Sequence, residues 1–156
     1  MSGEIEARLE KLGLTLPPAP SPVANYVPFL ISGDLLFVSG QLCKAADGSL
    51  VKGRLGAEIA LDTGQHAARL CALNILAQAK AALGSLDRIA QVMRLTGFVA
   101  STPEFGEHPQ VVNGASDLLA EVLGEAGRHT RSAVGVASLP LNASVEIDAI
   151  LRIRQS

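Results

Sequence analysis

At 156 residues the chain is long enough for one domain with a substantial core and short for two. Apolar residues make up 48% of it, but only one Tyr, four Phe and no Trp are present, which predicts an aliphatic core and leaves too few rings for a base-stacking surface. The formal net charge of −2 includes no basic cluster, so the sequence argues against nucleic acid as a partner.

Nothing in the sequence indicates a membrane or secretory protein. No apolar stretch reaches a membrane-spanning length, and residues 1–16 alternate charges with leucine, unlike a signal peptide. Cys43 and Cys71 have neither the number for a disulfide framework nor a metal-binding spacing, so we expect two small buried residues. The expected location is the cytoplasm.

The first predicted element is a short helix with Ile5, Leu9 and Leu12 on one face. Five of the eight prolines follow within residues 17–28, so this stretch is expected to be an extended arm on the surface. We therefore divide the chain into an N-terminal helix with a proline-rich arm, residues 1–23, and a main domain, residues 24–156.

The main domain is predicted to open with a hairpin and a helix. Residues 26–42, YVPFLISGDLLFVSGQL, predict two strands joined by a tight turn. After a glycine-rich loop, Asp62 and Gln65 have the spacing of a capping box, and the alanine-rich run that follows predicts a helix to Leu83.

A strand and a second helix come next. Residues 88–101 alternate as a long strand, and a helix is predicted from about Pro109 to Leu123. One face of the long strand is expected to hold Met93, Leu95, Gly97 and Val99.

Two further strands complete the predicted fold. The last one alternates cleanly, with Val145, Ile147 and Ala149 on one face and Glu146 and Asp148 on the other. The resulting order is helix, strand, strand, helix, strand, helix, strand, strand. It predicts an α+β domain in which two helices pack on one face of a mixed sheet.

Arg131 is the charged residue that most requires an explanation, because it lies in a segment that otherwise resembles a buried strand. Its neighbours on the same strand face are Ala133 and Gly135, which leave space beside the guanidinium. A planar guanidinium beside open space suits a small carboxylate, which it can bind bidentately. The alternative is a structural pair with Glu146 or Asp148 across adjacent strands.

The segment TRSAVGVASLPLNASVEI resembles the C-terminal signature of the YjgF/RidA family. NYV before the first strand, LLFVSGQL in the second strand and VVNGASDLLAEV in the second helix extend the resemblance over roughly residues 24–154. It implies a chorismate-mutase-like fold that assembles as a homotrimer with ligand clefts between subunits. It also implies an enamine/imine deaminase, which hydrolyses intermediates such as 2-aminoacrylate to a keto acid and ammonia without a metal or organic cofactor.

By the same resemblance, Arg131 would hold the substrate carboxylate and Glu146 would position the attacking water. Tyr26 and Asn113 would lie at the cleft, and Gly40 would shape its wall. The sequence departs from the family signature at Ala133, where a cysteine is usual, and at His129, where a proline is common. These departures indicate a side branch of the family.

Two other functions remain open at this point. The two departures from the family signature, Ala133 and His129, favour a trimer that binds a small carboxylate metabolite without turnover. The endoribonuclease activity long attached to the family gains no support, since the sequence has no basic patch and no paired histidines. Of the histidines, His66 and His108 are expected to be polar surface residues, whereas His129 has more weight because it lies close to Arg131.

The predicted sheet also bears on assembly. Two helices cover only one face, so the other face requires water or a partner. On the last strand that face mixes Glu146 and Asp148 with Ile150, which is not a typical solvated pattern. We therefore expect a homotrimer with Arg131 near a subunit boundary and Tyr26 of the adjacent chain completing the site.

Overall fold

The computed structural model describes residues 3–22 and 24–155. All eight predicted elements are present in the predicted order. The helices are α1 (Glu4–Lys11), α2 (Leu61–Leu83) and α3 (His108–Leu123), and the strands are β1 (Phe29–Ser32), β2 (Leu35–Leu42), β3 (Ile89–Ala100), β4 (Thr130–Val136) and β5 (Val145–Ile153). None of these helices is long and apolar enough to cross a membrane.

The five strands form one sheet in the order β1-β2-β5-β3-β4. All neighbouring strands are antiparallel except β3 and β4, which are parallel and are connected through α3. A parallel pair needs such a crossover, because its second strand must start again at the same edge of the sheet. The sheet is mixed, and the α+β architecture with α2 and α3 on one face is confirmed.

The core lies between the sheet and these two helices. On β5 the alternation is as predicted: Val145, Ile147, Ala149, Leu151 and Ile153 are all buried. The α2 helix faces the sheet with small residues, and Cys71 is buried there as a free thiol. At Gly114 on α3 a Cβ would lie 2.0 Å from the carbonyl oxygen of Gln65, so only glycine permits this approach of the two helices.

The prediction for β3 was wrong at Met93, which is 40% exposed. The pairing with β5 shifts between Val92 and Arg94, so Met93 lies in a bulge and Val92 takes the core position opposite Leu151. An extra residue in one strand reverses the alternation on one side of it. Beyond the bulge, Leu95, Gly97 and Val99 face the core as predicted.

The predicted capping box at Asp62 is also wrong. The α2 helix begins at Leu61 with Ala60 as its N-cap, and no side chain caps it. Asp62 therefore lies within the first turn, where its carboxylate accepts a hydrogen bond from the backbone N–H of Thr63 at 2.8 Å. A negative charge in the first turn still complements the helix dipole.

The N-terminal helix is held firmly against the main domain. The Asp87 carboxylate, just before β3, accepts hydrogen bonds from the backbone N–H groups of Glu4 and Ile5, both at 2.9 Å. Arg8 Nη1 donates to the carbonyl oxygen of Val122 at 2.9 Å, near the end of α3. Leu9 is buried in the core. The helix start thus obtains from a residue distant in sequence the cap that its N-cap residue, Gly3, does not supply.

The proline-rich arm runs along the main domain. Leu14 and Leu16 pack against the core, and Gln78 Nε2 of α2 donates to the carbonyl oxygen of Pro20 at 2.6 Å. Val23 lies outside the described residues. The division of the chain at residue 23 stays a prediction.

Candidate functional site

Arg131 extends from β4 along the outer side of α3. Its Nη1 donates to Asn113 Oδ1 at 2.8 Å and to Ser116 Oγ at 3.0 Å, and its Nη2 donates to the carbonyl oxygen of Pro109 at 3.1 Å. Asn113 and Ser116 are one helical turn apart, so their side chains project from the same stripe of α3. The helix therefore orients the guanidinium from one side.

These contacts leave two N–H groups of the guanidinium available. Of its five N–H groups, the two on Nη1 and one on Nη2 are used. Within the described residues, Nε and the remaining N–H of Nη2 have no hydrogen-bond partner. Nε and Nη2 form the side edge of the guanidinium, whose parallel donors match the two oxygens of a carboxylate.

The strand face beyond Arg131 is less open than the sequence suggested. A Cβ on Gly135 would lie 2.5 Å from His108 Nε2 and 2.6 Å from Ser101 Oγ, so these two side chains occupy the space next to the glycine. His108 and Ser101 are hydrogen-bonded at 3.2 Å. His108 was expected to be a plain surface residue, but it is the first residue of α3 and lines a cleft of about 320 Å³ next to Gly135.

His129 connects to Arg131 through one hydroxyl group. Its Nδ1 lies 2.6 Å from the carbonyl oxygen of Gly127, and its Nε2 lies 2.8 Å from Ser116 Oγ, the oxygen that also accepts from Arg131. Burial lowers the pKa of His129, and the Arg131 charge lowers it further against the opposing effect of the Gly127 carbonyl. The ring is therefore neutral at neutral pH.

Sequence reasoning missed Ser116 altogether. The available signal was its spacing of three residues from Asn113, which places both on one helical stripe.

Glu146 lies on the other face of the sheet, next to Gly40. The pairing of β2 with β5 shifts between Val38 and Gln41, and within this bulge Gly40 lies against the glutamate. A Cβ on Gly40 would be 2.0 Å from Glu146 Oε2, so glycine is required for the carboxylate to occupy this position. Burial raises the pKa of Glu146, and the nearby Asp148 raises it further.

A broad depression of about 970 Å³ covers this face of the sheet. Its polar floor includes Glu146 and Asp148, and Tyr26 lies at its side with 45% of its surface exposed. The lining also contains exposed apolar residues: Val27, Leu30 and Phe37. An exposed apolar surface of this kind usually marks an interaction site.

Within one chain, the predicted site residues form two separate groups. Arg131, Ala133 and Asn113 lie at the α3 side of β4, whereas Tyr26, Gly40 and Glu146 lie on the open face of the sheet. The alternative pairing of Arg131 with Glu146 or Asp148 across adjacent strands is wrong for a single chain. The β3 strand lies between β4 and β5, and the register places Arg131 level with buried Leu95 and Ala149 on the core side.

No group of three or more His, Cys, Asp or Glu side chains within residues 3–22 and 24–155 could hold a metal ion.

Comparisons with known proteins identify the family that this chain resembles. A family model described as "YjgF/chorismate mutase-like, putative endoribonuclease" matches residues 6–150. Protein TCP17 from Trypanosoma cruzi is 50% identical over 153 residues, which cover 97% of this chain and 96% of that protein.

Solved structures of other proteins are also similar to this chain. The crystal structure of Atu1372 from Agrobacterium tumefaciens, a protein of unknown function, is 59% identical with a TM-score of 0.88 and covers 96% of this chain and 94% of that one. The crystal structure of E. coli TdcF with bound serine is 26% identical with a TM-score of 0.65 and covers 88% of this chain and 94% of that one.

Proposed function

The chain belongs to the YjgF/chorismate mutase-like family, and from that premise we propose that it hydrolyses small 2-enamino or 2-imino acids to the keto acid and ammonia. The observation that carries this proposal is the guanidinium of Arg131. Three fixed partners hold it, while Nε and one N–H group of Nη2 have no partner among the described residues. TdcF, with its bound serine, is a relative that accepts a small amino acid.

The reaction requires little more than the correct positioning of the substrate and the attacking water. The enamine tautomerises to the imine, water adds to the C2 carbon, and the resulting carbinolamine collapses to the keto group as ammonia leaves. Because Arg131 binds the substrate carboxylate, the adjacent C2 atom of the substrate is held at a fixed distance from the protein. Glu146 accepts a proton from the attacking water and returns it to the imine nitrogen, and its raised pKa brings its basicity closer to what this step needs.

The proposal brings the two groups of residues together at the boundary between two chains. In the proposed homotrimer, Arg131, Asn113 and Ala133 of one chain face Tyr26, Gly40 and Glu146 of the next. The depression on the open face of the sheet supports this, since its apolar lining suits contact with another subunit. Ala133 contributes room for the substrate beside the guanidinium. The buried, free Cys43 and Cys71 agree with the cytoplasm as the proposed location.

The test follows the decay of enzymatically generated 2-aminoacrylate and the appearance of pyruvate, with and without the protein. Acceleration by the wild type and its loss in Arg131→Ala, with an unchanged thermal unfolding midpoint, are the expected results. No acceleration with 2-aminoacrylate or with imino acids of other side chains would overturn the deaminase proposal. Pyruvate binding that still required Arg131 would then favour the second candidate, a carboxylate-binding trimer.

A further inference from the structure

His129 occupies a position from which it acts on Arg131 without approaching the carboxylate edge. It is joined to Ser116, and Ser116 is joined to Arg131, by hydrogen bonds of 2.8 and 3.0 Å. We propose that His129 is a positioning residue that, through Ser116, holds the Arg131 guanidinium so that Nε and the unused N–H group of Nη2 remain available for a carboxylate. The consequence for catalysis rests on the proposed function. The hydrogen-bond relay, from His129 through Ser116 to Arg131, can be measured independently of that function.

The direction of each hydrogen bond in this relay is determined. The Gly127 carbonyl can only accept, so the Nδ1 of His129 must carry the proton. In a neutral imidazole the Nε2 is then an acceptor, so the Ser116 hydroxyl donates to it. Both lone pairs of Ser116 Oγ therefore remain available to donors, and Arg131 Nη1 uses one of them. The neutral histidine makes Ser116 an acceptor for arginine.

Protonation of His129 would reverse part of this pattern. Both ring nitrogens would be donors, so Ser116 Oγ would receive hydrogen bonds from His129 and Arg131 while its own proton lost its acceptor. A second positive charge would also lie close to the guanidinium. Both effects weaken the contact between Ser116 and Arg131.

Few charges influence this histidine. Arg131 on β4 is the charged group that acts on its pKa. On the neighbouring elements, Asp117 of α3 is exposed, and Glu125 forms a surface pair with Arg128 at 3.9 Å. The positive charge of Arg131 and burial both favour the neutral ring, which is the form the relay needs.

Three substitutions test the relay, and two others serve as controls. His129→Gln keeps an acceptor near the position of Nε2 but cannot titrate, whereas His129→Ala removes the acceptor. Ser116→Ala breaks the relay at its centre. His66→Ala and His66→Gln are matched controls, since His66 is an exposed histidine in α2.

The first measurement is hydrogen exchange of the Arg131 guanidinium protons, observed by NMR on protein with labelled arginine. We expect roughly tenfold faster exchange in His129→Ala and Ser116→Ala, the scale of one lost hydrogen bond, and near wild-type exchange in His129→Gln and both His66 variants. Unchanged exchange in His129→Ala, or equal loss in His129→Ala and His129→Gln, would overturn the proposal. Thermal unfolding midpoints verify that each variant is folded.

The second measurement is the affinity for pyruvate by calorimetry over a range of pH. We expect wild-type affinity to fall as the pH decreases through the pKa of His129, and this component to be absent in His129→Gln. An acidic loss of affinity that is identical in both proteins would contradict the role of His129. If the wild type bound no pyruvate at any pH, the proposed function would fail, whereas the exchange measurement would still decide the positioning role.

Discussion

At the scale of single residues, the proposed carboxylate anchor, Arg131, and the proposed base, Glu146, lie on opposite faces of the sheet. Arg131 is oriented by the α3 helix, and Nε and one N–H group of Nη2 have no partner among the described residues. Glu146 lies on the opposite face of the sheet against Gly40, where burial and Asp148 raise its pKa. The two side chains can therefore be tested independently.

Arg131→Lys should bind pyruvate at least about tenfold more weakly than the wild type. A lysine ammonium cannot reproduce the planar donors, neither the pair that holds Asn113 and Ser116 nor the pair that faces the ligand. Calorimetry measures the affinity, and circular dichroism verifies the fold. Wild-type affinity in this variant would mean that a point charge is sufficient and that the bidentate edge is not used.

Glu146→Gln should retain pyruvate affinity and reduce turnover of 2-aminoacrylate by roughly a hundredfold or more, since general-base catalysis commonly contributes that much. The amide has nearly the same shape as the carboxylate but accepts no proton. Separate measurements of binding and turnover decide the outcome. Equal losses in both would indicate a structural role for Glu146.

The raised pKa of Glu146 also predicts a change in stability. A folded-state pKa above the unfolded value means that the native chain binds more protons between the two values, so stability falls as the pH rises through this interval. Glu146→Gln lacks this dependence and should gain stability relative to the wild type from acidic to neutral pH. Urea unfolding of both proteins at acidic and at neutral pH tests this. A difference in stability that did not change with pH would contradict it.

At the scale of elements, α1 depends on a cap that is distant in sequence. The Asp87 carboxylate accepts from the backbone N–H groups of Ile5 and Glu4, and these hydrogen bonds lower its pKa. Asp87→Ala should therefore lower the free energy of unfolding by about 1 kcal/mol, the typical value of an N-cap. Urea unfolding with far-ultraviolet circular dichroism provides the measurement, and Asp62→Ala is the control because it removes a first-turn charge but no N-cap.

The same hydrogen bonds determine the pH dependence of this cap. The folded-state pKa of Asp87 is below its unfolded value, so its contribution is present above the unfolded pKa and is lost as the pH falls through the folded one. The stability difference between wild type and Asp87→Ala should accordingly decrease at acidic pH. A difference that persisted there would show that the aspartate stabilises α1 by something other than its charge.

At the scale of the whole molecule, the open face of the sheet is the feature that a single chain leaves unexplained. Leu30 is 60% exposed and Val27 is 58% exposed, and both line the depression that contains Glu146. Apolar side chains grouped in this way favour association through that face. The assembly and the proposed active site are therefore expected to depend on one surface.

Light scattering should give three times the chain mass of 16.2 kDa at micromolar concentration. Leu30→Asp should produce a folded monomer without turnover, since a buried charge at the interface is costly. Leu12→Asp is the matched control, because Leu12 is an exposed leucine at the end of α1, and it should remain trimeric and active. A wild-type monomer would remove both the interface and the proposed site.

Local patterns in the sequence were sufficient for the type, order and approximate bounds of all eight elements. The alternation of β5 and the placement of Arg131, Ala133 and Gly135 on one strand face depend only on the two-residue period of a strand. The resemblance to the family supplied the candidate residues, and the YjgF/chorismate mutase-like relationship is confirmed.

Only the tertiary structure decided how these faces relate to one another. The insertion of β3 between β4 and β5 places Arg131 and Glu146 on opposite sides of the sheet, and the bulge at Met93 reverses part of β3. The relay from His129 through Ser116 to Arg131 joins α3 to the start of β4, a contact that the period of neither element specifies. A period of two or of 3.6 residues specifies the faces of one element, but strand order, bulges and contacts between elements follow from packing energies summed over distant parts of the chain.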